Sequence, residues 1–197
     1  MSQELLRSLV WTDYRLAMLF AVLLPLILLI WSFVQRVESM QRLLTIYWRV
    51  SSLLMITVYL LIGNLPLSFF ASLIARVLIP LSLWYWDDLN EEINDRPFDP
   101  LQLTFKSWRW AVTLYSGLGA IATLPFLPCA LSRSQFATPF CQVWREPPLM
   151  YRDYFHAASN LGFLGFLGIV GLIIYLLYLA YFVFFRLAKQ GRSAIQQ

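Results

Sequence analysis

The sequence predicts an all-α fold: a polytopic helical membrane protein with about five transmembrane helices. Three observations predict it. Only 13% of the 197 residues are charged, while 59% are hydrophobic and 17% aromatic. A soluble domain carries about 25% charged residues to coat its surface. The mean hydropathy is +0.63, and uncharged stretches long enough to cross about 30 Å of hydrocarbon recur along the chain. Together these exclude a cytosolic enzyme, a disordered scaffold and a disulfide miniprotein. The net charge of +4 and the pI near 9.2 follow from basic residues flanking spans, so no nucleic-acid partner is expected. The whole chain, 1–197, reads as one transmembrane helical domain whose first partner is the lipid bilayer.

The first span is expected near 16–35, between Arg15 and Arg36, with a kink at Pro25. Glu4 and Asp13 ahead of it, and no small-residue cleavage site after Trp31, argue against a cleaved signal peptide. Leu5, Leu6, Leu9 and Val10 recur at helical spacing. Residues 3–14 are therefore expected as a short amphipathic helix lying along the interface.

From Val50 to Trp86 the only charge is Arg76. One straight helix of that length would run to roughly 55 Å, so it must break. Gly63-Asn64-Leu65-Pro66 supplies the turn residues. The result is a hairpin of spans near 45–62 and 67–86, closed by an aromatic belt of Trp84, Tyr85 and Trp86. It leaves Arg76 near the bilayer centre. A four-span alternative stays open: one kinked span over 50–75, with 77–86 lying on the surface.

Asp87, Glu91 and Asp95 fall on one helical face of an acidic loop, read as a solvated surface able to dock a basic partner. Arg96-Pro97-Phe98-Asp99-Pro100 reads as a stiff turn. A span near 104–128 follows. The last, near 157–185, carries no charge until Arg186 and is followed by Lys189 and Arg192.

Counting Lys and Arg orients the chain. With five spans, Arg36, Arg42, Arg49, Arg96, Lys106, Arg109, Arg186, Lys189 and Arg192 share one side, against Arg7, Arg15, Arg133, Arg145 and Arg152 on the other. The richer side is expected in the cytoplasm, with the C-terminal tail inside and the N-terminus outside. Four spans would put both ends inside. Either way the loop 129–155 is not cytoplasmic, and Cys129 and Cys141 within it form a candidate disulfide.

Candidate site residues are few. His156, the only histidine, begins the last span with Asn160 one turn later, on the same face. Such a pair could ligate a pigment or haem, with chlorophyll or haem as candidate cofactors. Gly162, Gly165, Gly168 and Gly171, with Ala158, form a small-residue face suited to helix packing. One histidine cannot build a protein-only metal site, so no metal is expected. Arg76 is an intramembrane charge. No acid lies within another span, so its partner is expected from an interface or another subunit. The segment Trp144–Phe155 is aromatic and proline-stiffened, and reads equally as a docking loop or an interfacial anchor. No phosphate-cradling glycine loop, H-E-x-x-H or G-x-S-x-G occurs.

The segments Leu9-Val10-Trp11-Thr12-Asp13-Tyr14-Arg15-Leu16, Ile46-Tyr47-Trp48-Arg49-Val50, Trp86-Asp87-Asp88-Leu89-Asn90-Glu91-Glu92 and Arg96-Pro97-Phe98-Asp99-Pro100 resemble an uncharacterised family of cyanobacterial integral membrane proteins. The likeness runs nearly the full length. It implies a thylakoid or plasma membrane of an oxygenic phototroph, and supplies no catalytic residues. The expected function is a non-catalytic accessory or assembly factor packing against photosystem complexes. The alternative is a small permease or channel subunit, suggested by Pro25, Pro80, Pro125, Pro128 and Arg76.

Overall fold

The computed structural model describes residues 2–187 and 193–194. The described residues are helical, without a strand. Three helices are long and apolar enough to cross a membrane, and a bent helix pair would make a fourth if it counts as one span. This fits a polytopic membrane protein. Lys189 and Arg192, of the basic tail, lie outside the described residues.

Helix α1 runs Gln3–Val34, 32 residues without a break. The expectation of a separate surface helix over 3–14 is therefore corrected. The Ser2 hydroxyl accepts from the Leu5 amide at 3.3 Å and starts the helix. Pro25 does not end it. A π-helical turn, Met18–Leu23, precedes the proline and absorbs its ring. Proline has no N–H to offer the carbonyls a turn behind it, those of Phe20 and Ala21. Trp108 Nε1 donates to the Phe20 carbonyl at 2.9 Å and the Tyr47 hydroxyl to that of Ala21 at 2.8 Å. Two aromatic donors from other helices thus satisfy the backbone that Pro25 leaves open.

Helix α2, Glu38–Ile62, starts seven residues earlier than the span expected near 45–62. Both its flanking turns close the same way. Arg36 (φ 55°) and Asn64 (φ 59°) adopt the left-handed conformation. Val37 N–H returns to the Ser32 carbonyl and Leu65 N–H to that of Leu60, at 3.0 Å each, which satisfies the last carbonyls of the preceding helix. Helix α3, Ser68–Trp84, then packs back on α2. Leu53 and Leu60 meet Ala71 and Ala75 in one buried cluster, so the two helices form a packed hairpin about the break at Gly63-Asn64.

Helix α4, Asp87–Asp95, carries Asp87, Glu91, Glu92 and Asp95 outward while Leu89 and Ile93 are buried; Asp88 is half-buried and accepts from the Ala194 amide at 2.7 Å. Asp87 and Asp88 sit in its first turn, where the helix dipole favours negative charge. Helix α5, Pro100–Thr123, is capped by Asp99, which accepts from the Gln102 amide at 2.6 Å. Gln102 Nε2 donates to the Ile93 carbonyl at 2.8 Å and that of Arg96 at 3.0 Å, closing the end of α4. The expected aromatic belt is only partly on the surface: Trp86 is buried in the core and Trp84 lies under the Arg109 guanidinium, 4.1 Å from the ring centre.

Short helical turns carry the chain from Leu124 to Arg145. Helix α6 is Glu146–Phe155 and α7 is Leu161–Tyr181, which continues into a π-helical stretch, Phe182–Leu187. Helix α2 is the axis of the bundle, in contact with α1, α3, α4, α6 and α7. One core cluster lies at the end holding Val37, Leu89, Ile93 and Leu101. Another fills the opposite end with Leu6, Val10, Phe126, Phe136 and Trp144.

Candidate functional site

Two features stand out: a buried ion pair between helices, and the rigid cap above it. Arg76 on α3 is 5% exposed. Its Nη2 donates to Asp13 Oδ2 at 2.5 Å. The Tyr115 hydroxyl on α5 donates to Asp13 Oδ1 and to the Asp13 carbonyl, at 3.0 Å each. The Arg76 guanidinium lies 5.4 Å from the Tyr115 ring centre. Gly119, one turn further along α5, leaves the space that Nη1 occupies, where any Cβ would collide with it. The partner of Arg76 was expected from an interface or another subunit. It lies within the chain, on the part of α1 that hydropathy assigned to the interface. The ensemble ties α1, α3 and α5 together, and its charge is neutralised inside the protein.

The cap spans 124–155. Cys129 and Cys141 are joined by a disulfide, with Cα atoms 5.9 Å apart. Phe126 stacks on Phe140 at 4.5 Å and meets the edge of Trp144 at 5.2 Å, and Phe69 of α3 joins the cluster. Arg145 Nε donates to the Leu61 carbonyl at 2.9 Å and Nη1 to Gln142 Oε1 at 2.7 Å. An arginine on the last carbonyls of α2 complements the helix dipole, and its burial lowers its basicity from the ordinary value. Glu146 Oε2 accepts from Arg7 Nε at 2.7 Å and from Trp11 Nε1 at 3.2 Å, which fastens α1 to the cap. From this anchored base α6 presents Tyr154, 79% exposed, and Phe155, 71% exposed, with Met150 one turn back.

The expected pigment pair does not form on one helical face. His156 ends α6, and residues 157–159 are turn and bend, so Asn160 is the cap of α7 and accepts from the Gly162 amide at 2.8 Å. His156 Nε2 shares a hydrogen bond of 3.0 Å with the Tyr59 hydroxyl. Ala158 precedes the helix, and among the described residues only the Asn160 side chain approaches Gly162, so this pair makes no helix contact within the chain. The remaining glycines are used inside the chain. A Cβ on Gly165 would lie 2.7 Å from Gly63 Cα, one on Gly168 3.0 Å from the Leu60 nitrogen, and one on Gly171 3.4 Å from Ile56 Cγ1. The glycine face therefore belongs to the α2–α7 contact rather than to an external partner or a pigment. Among the described residues no three His, Cys, Asp or Glu side chains group as a metal site.

A family model described as Protein of unknown function (DUF3177) matches residues 7–195. The chain belongs to that family. No curated protein and no solved structure matches it.

Proposed function

We propose that this member of a family of unknown function is a non-catalytic integral membrane protein, an accessory or assembly factor that packs against a larger membrane complex. The observation that carries the reading is the outer face of α6, where Met150, Tyr154 and Phe155 are exposed on a helix held from behind. A preformed aromatic face loses little conformational freedom on docking, and such residues dominate the energy of interfaces. In the finer reading the host is a photosystem, in the thylakoid or plasma membrane of an oxygenic phototroph. The likeness of the four segments quoted above to cyanobacterial membrane proteins supports it. The topology that goes with it has five spans, α1, α2, α3, α5 and α7, with the C-terminal tail cytoplasmic. The excess of Lys and Arg on that side supports this, as does the junction of Arg7 with Glu146, which joins the start of α1 to the cap.

Extraction in mild detergent from native membranes tests the reading. The tagged chain is expected to migrate with a larger complex, and Tyr154→Ala with Phe155→Ala to release it without changing its amount in the membrane. Recovery of the wild-type chain only as free monomer would overturn the reading.

A further inference from the structure

Between α2, α3 and the end of α7, at the opposite end of α2 from the cap, lies a cavity of about 930 Å³. Ligand-binding clefts run to about 300–1,000 Å³. Its walls are apolar, with Ile46, Val50, Leu78, Leu81 and Leu179 among them. Arg42 and Arg49 also line it. They are seven residues apart, two turns on one face of α2.

Arg49 lies roughly 16 Å along the axis from the start of α2. Its hydrogen-bond partner is neutral: Nη1 donates to the Tyr178 hydroxyl at 3.3 Å. Among the described residues no carboxylate lies within ion-pair distance of it. Arg42 pairs with Glu38 at 3.3 Å, both side chains well exposed, and such a surface pair yields readily to a stronger anion. The contrast with Arg76 is direct, since that guanidinium has its own carboxylate in the chain. A cation set on an apolar wall beside lipid calls for an anion that is itself part of the bilayer.

We propose that this groove binds one anionic phospholipid, its phosphate held by Arg42 and Arg49 and its acyl chains laid along Ile46, Val50, Leu78 and Leu81. Inorganic phosphate satisfies the arginines but leaves the apolar walls uncovered. A zwitterionic lipid covers the walls but brings its own cation to the two guanidinium groups. The inference does not rest on the docking of α6, which occupies the other end of the molecule.

Native mass spectrometry of the full chain, delipidated and offered phosphatidylglycerol, phosphatidylcholine or inorganic phosphate, tests it. The expected result is a one-to-one adduct with phosphatidylglycerol, favoured about tenfold or more over phosphatidylcholine. Arg42→Gln with Arg49→Gln brings the two lipids level, while Arg42→Lys with Arg49→Lys keeps the preference, since an ammonium still holds a phosphate as a point charge. Val50→Trp, which fills the wall without touching the charges, weakens the adduct. Arg133→Gln, exposed at the other end, leaves it unchanged. Four outcomes overturn the proposal: equal retention of both lipids by the wild type, an undiminished preference in the double glutamine variant, phosphate alone displacing the lipid, or a second copy of the chain crosslinking from Leu81→Cys in place of lipid.

Discussion

At the residue scale the Asp13–Arg76 pair governs most. Removing one partner strands a charge among apolar helices, at about 3–5 kcal/mol. Asp13→Asn and Arg76→Gln should each lower the thermal midpoint in detergent, and Asp13→Leu combined with Arg76→Leu should recover most of the loss. If the double variant is as unstable as the sum of the singles, the two groups do not act as a pair. Gly119→Leu should behave like Arg76→Gln, because its side chain takes the place of the guanidinium. Arg76 was legible in the sequence as a charge too deep for comfort. Its partner was not, because Asp13 is flanked by Arg7, Arg15 and Glu4, a polar pattern that hydropathy reads as surface. The pairing depends on α1 continuing unbroken toward the N-terminus, and the preceding residues announce only their helical period. Tyr47 and Trp108 were similarly hidden, since an aromatic residue in a span does not reveal that its polar atom covers the carbonyls behind Pro25.

At the element scale the cap and the helix ends carry the predictions. The disulfide closes a loop of separation 12, a constraint on the unfolded chain worth roughly 3 kcal/mol. Cys129→Ser with Cys141→Ser should lower stability by about that much and expose the Phe126 cluster to quenching agents. Unchanged unfolding in the variant would show that Arg145 and Glu146 hold the cap alone. Asp99 is held below the usual carboxylate range first by the Gln102 amide hydrogen bond and then by Arg96. Its contribution is therefore complete above the ordinary value of about 4 and fades as pH falls through the depressed one. Protection of the Gln102 amide, its exchange rate relative to that of an unstructured amide at the same pH, should persist from pH 7 down to that range and fall below it, whereas in Asp99→Ala it should be low throughout. The cap of α5, like the hairpin break at Gly63-Asn64, was readable because turn and capping chemistry is local. The start of α7 was not, since Ala157-Ala158-Ser159 continues an apolar run. The cap that ends that run belongs to Asn160, whose side-chain oxygen is committed to the Gly162 amide.

At the scale of the whole molecule, the proposed five-span topology would put the two bundle ends on opposite sides of the membrane. Single cysteines at Ser2 and Ser134 should label from the same side of a sealed vesicle, and one at Glu92 from the other. Label at Ser2 and Glu92 from one side would favour an even number of crossings. Composition carried the fold class because lipid leaves the backbone few solutions. It could not tell a glycine face turned inward from one turned outward. Gly165 and Gly168 meet Gly63 and Leu60 of the same chain, and a single sequence encodes the small residues but not their neighbour.

The position of Asp13 also bears on biosynthesis. It is translated 63 residues before Arg76, so the carboxylate is already waiting when the guanidinium helix reaches the insertion machinery. A nascent chain starting beyond Asp13 would deliver that helix with its charge unmatched, and glycosylation-site reporters should then find Ser68–Trp84 left outside the bilayer far more often.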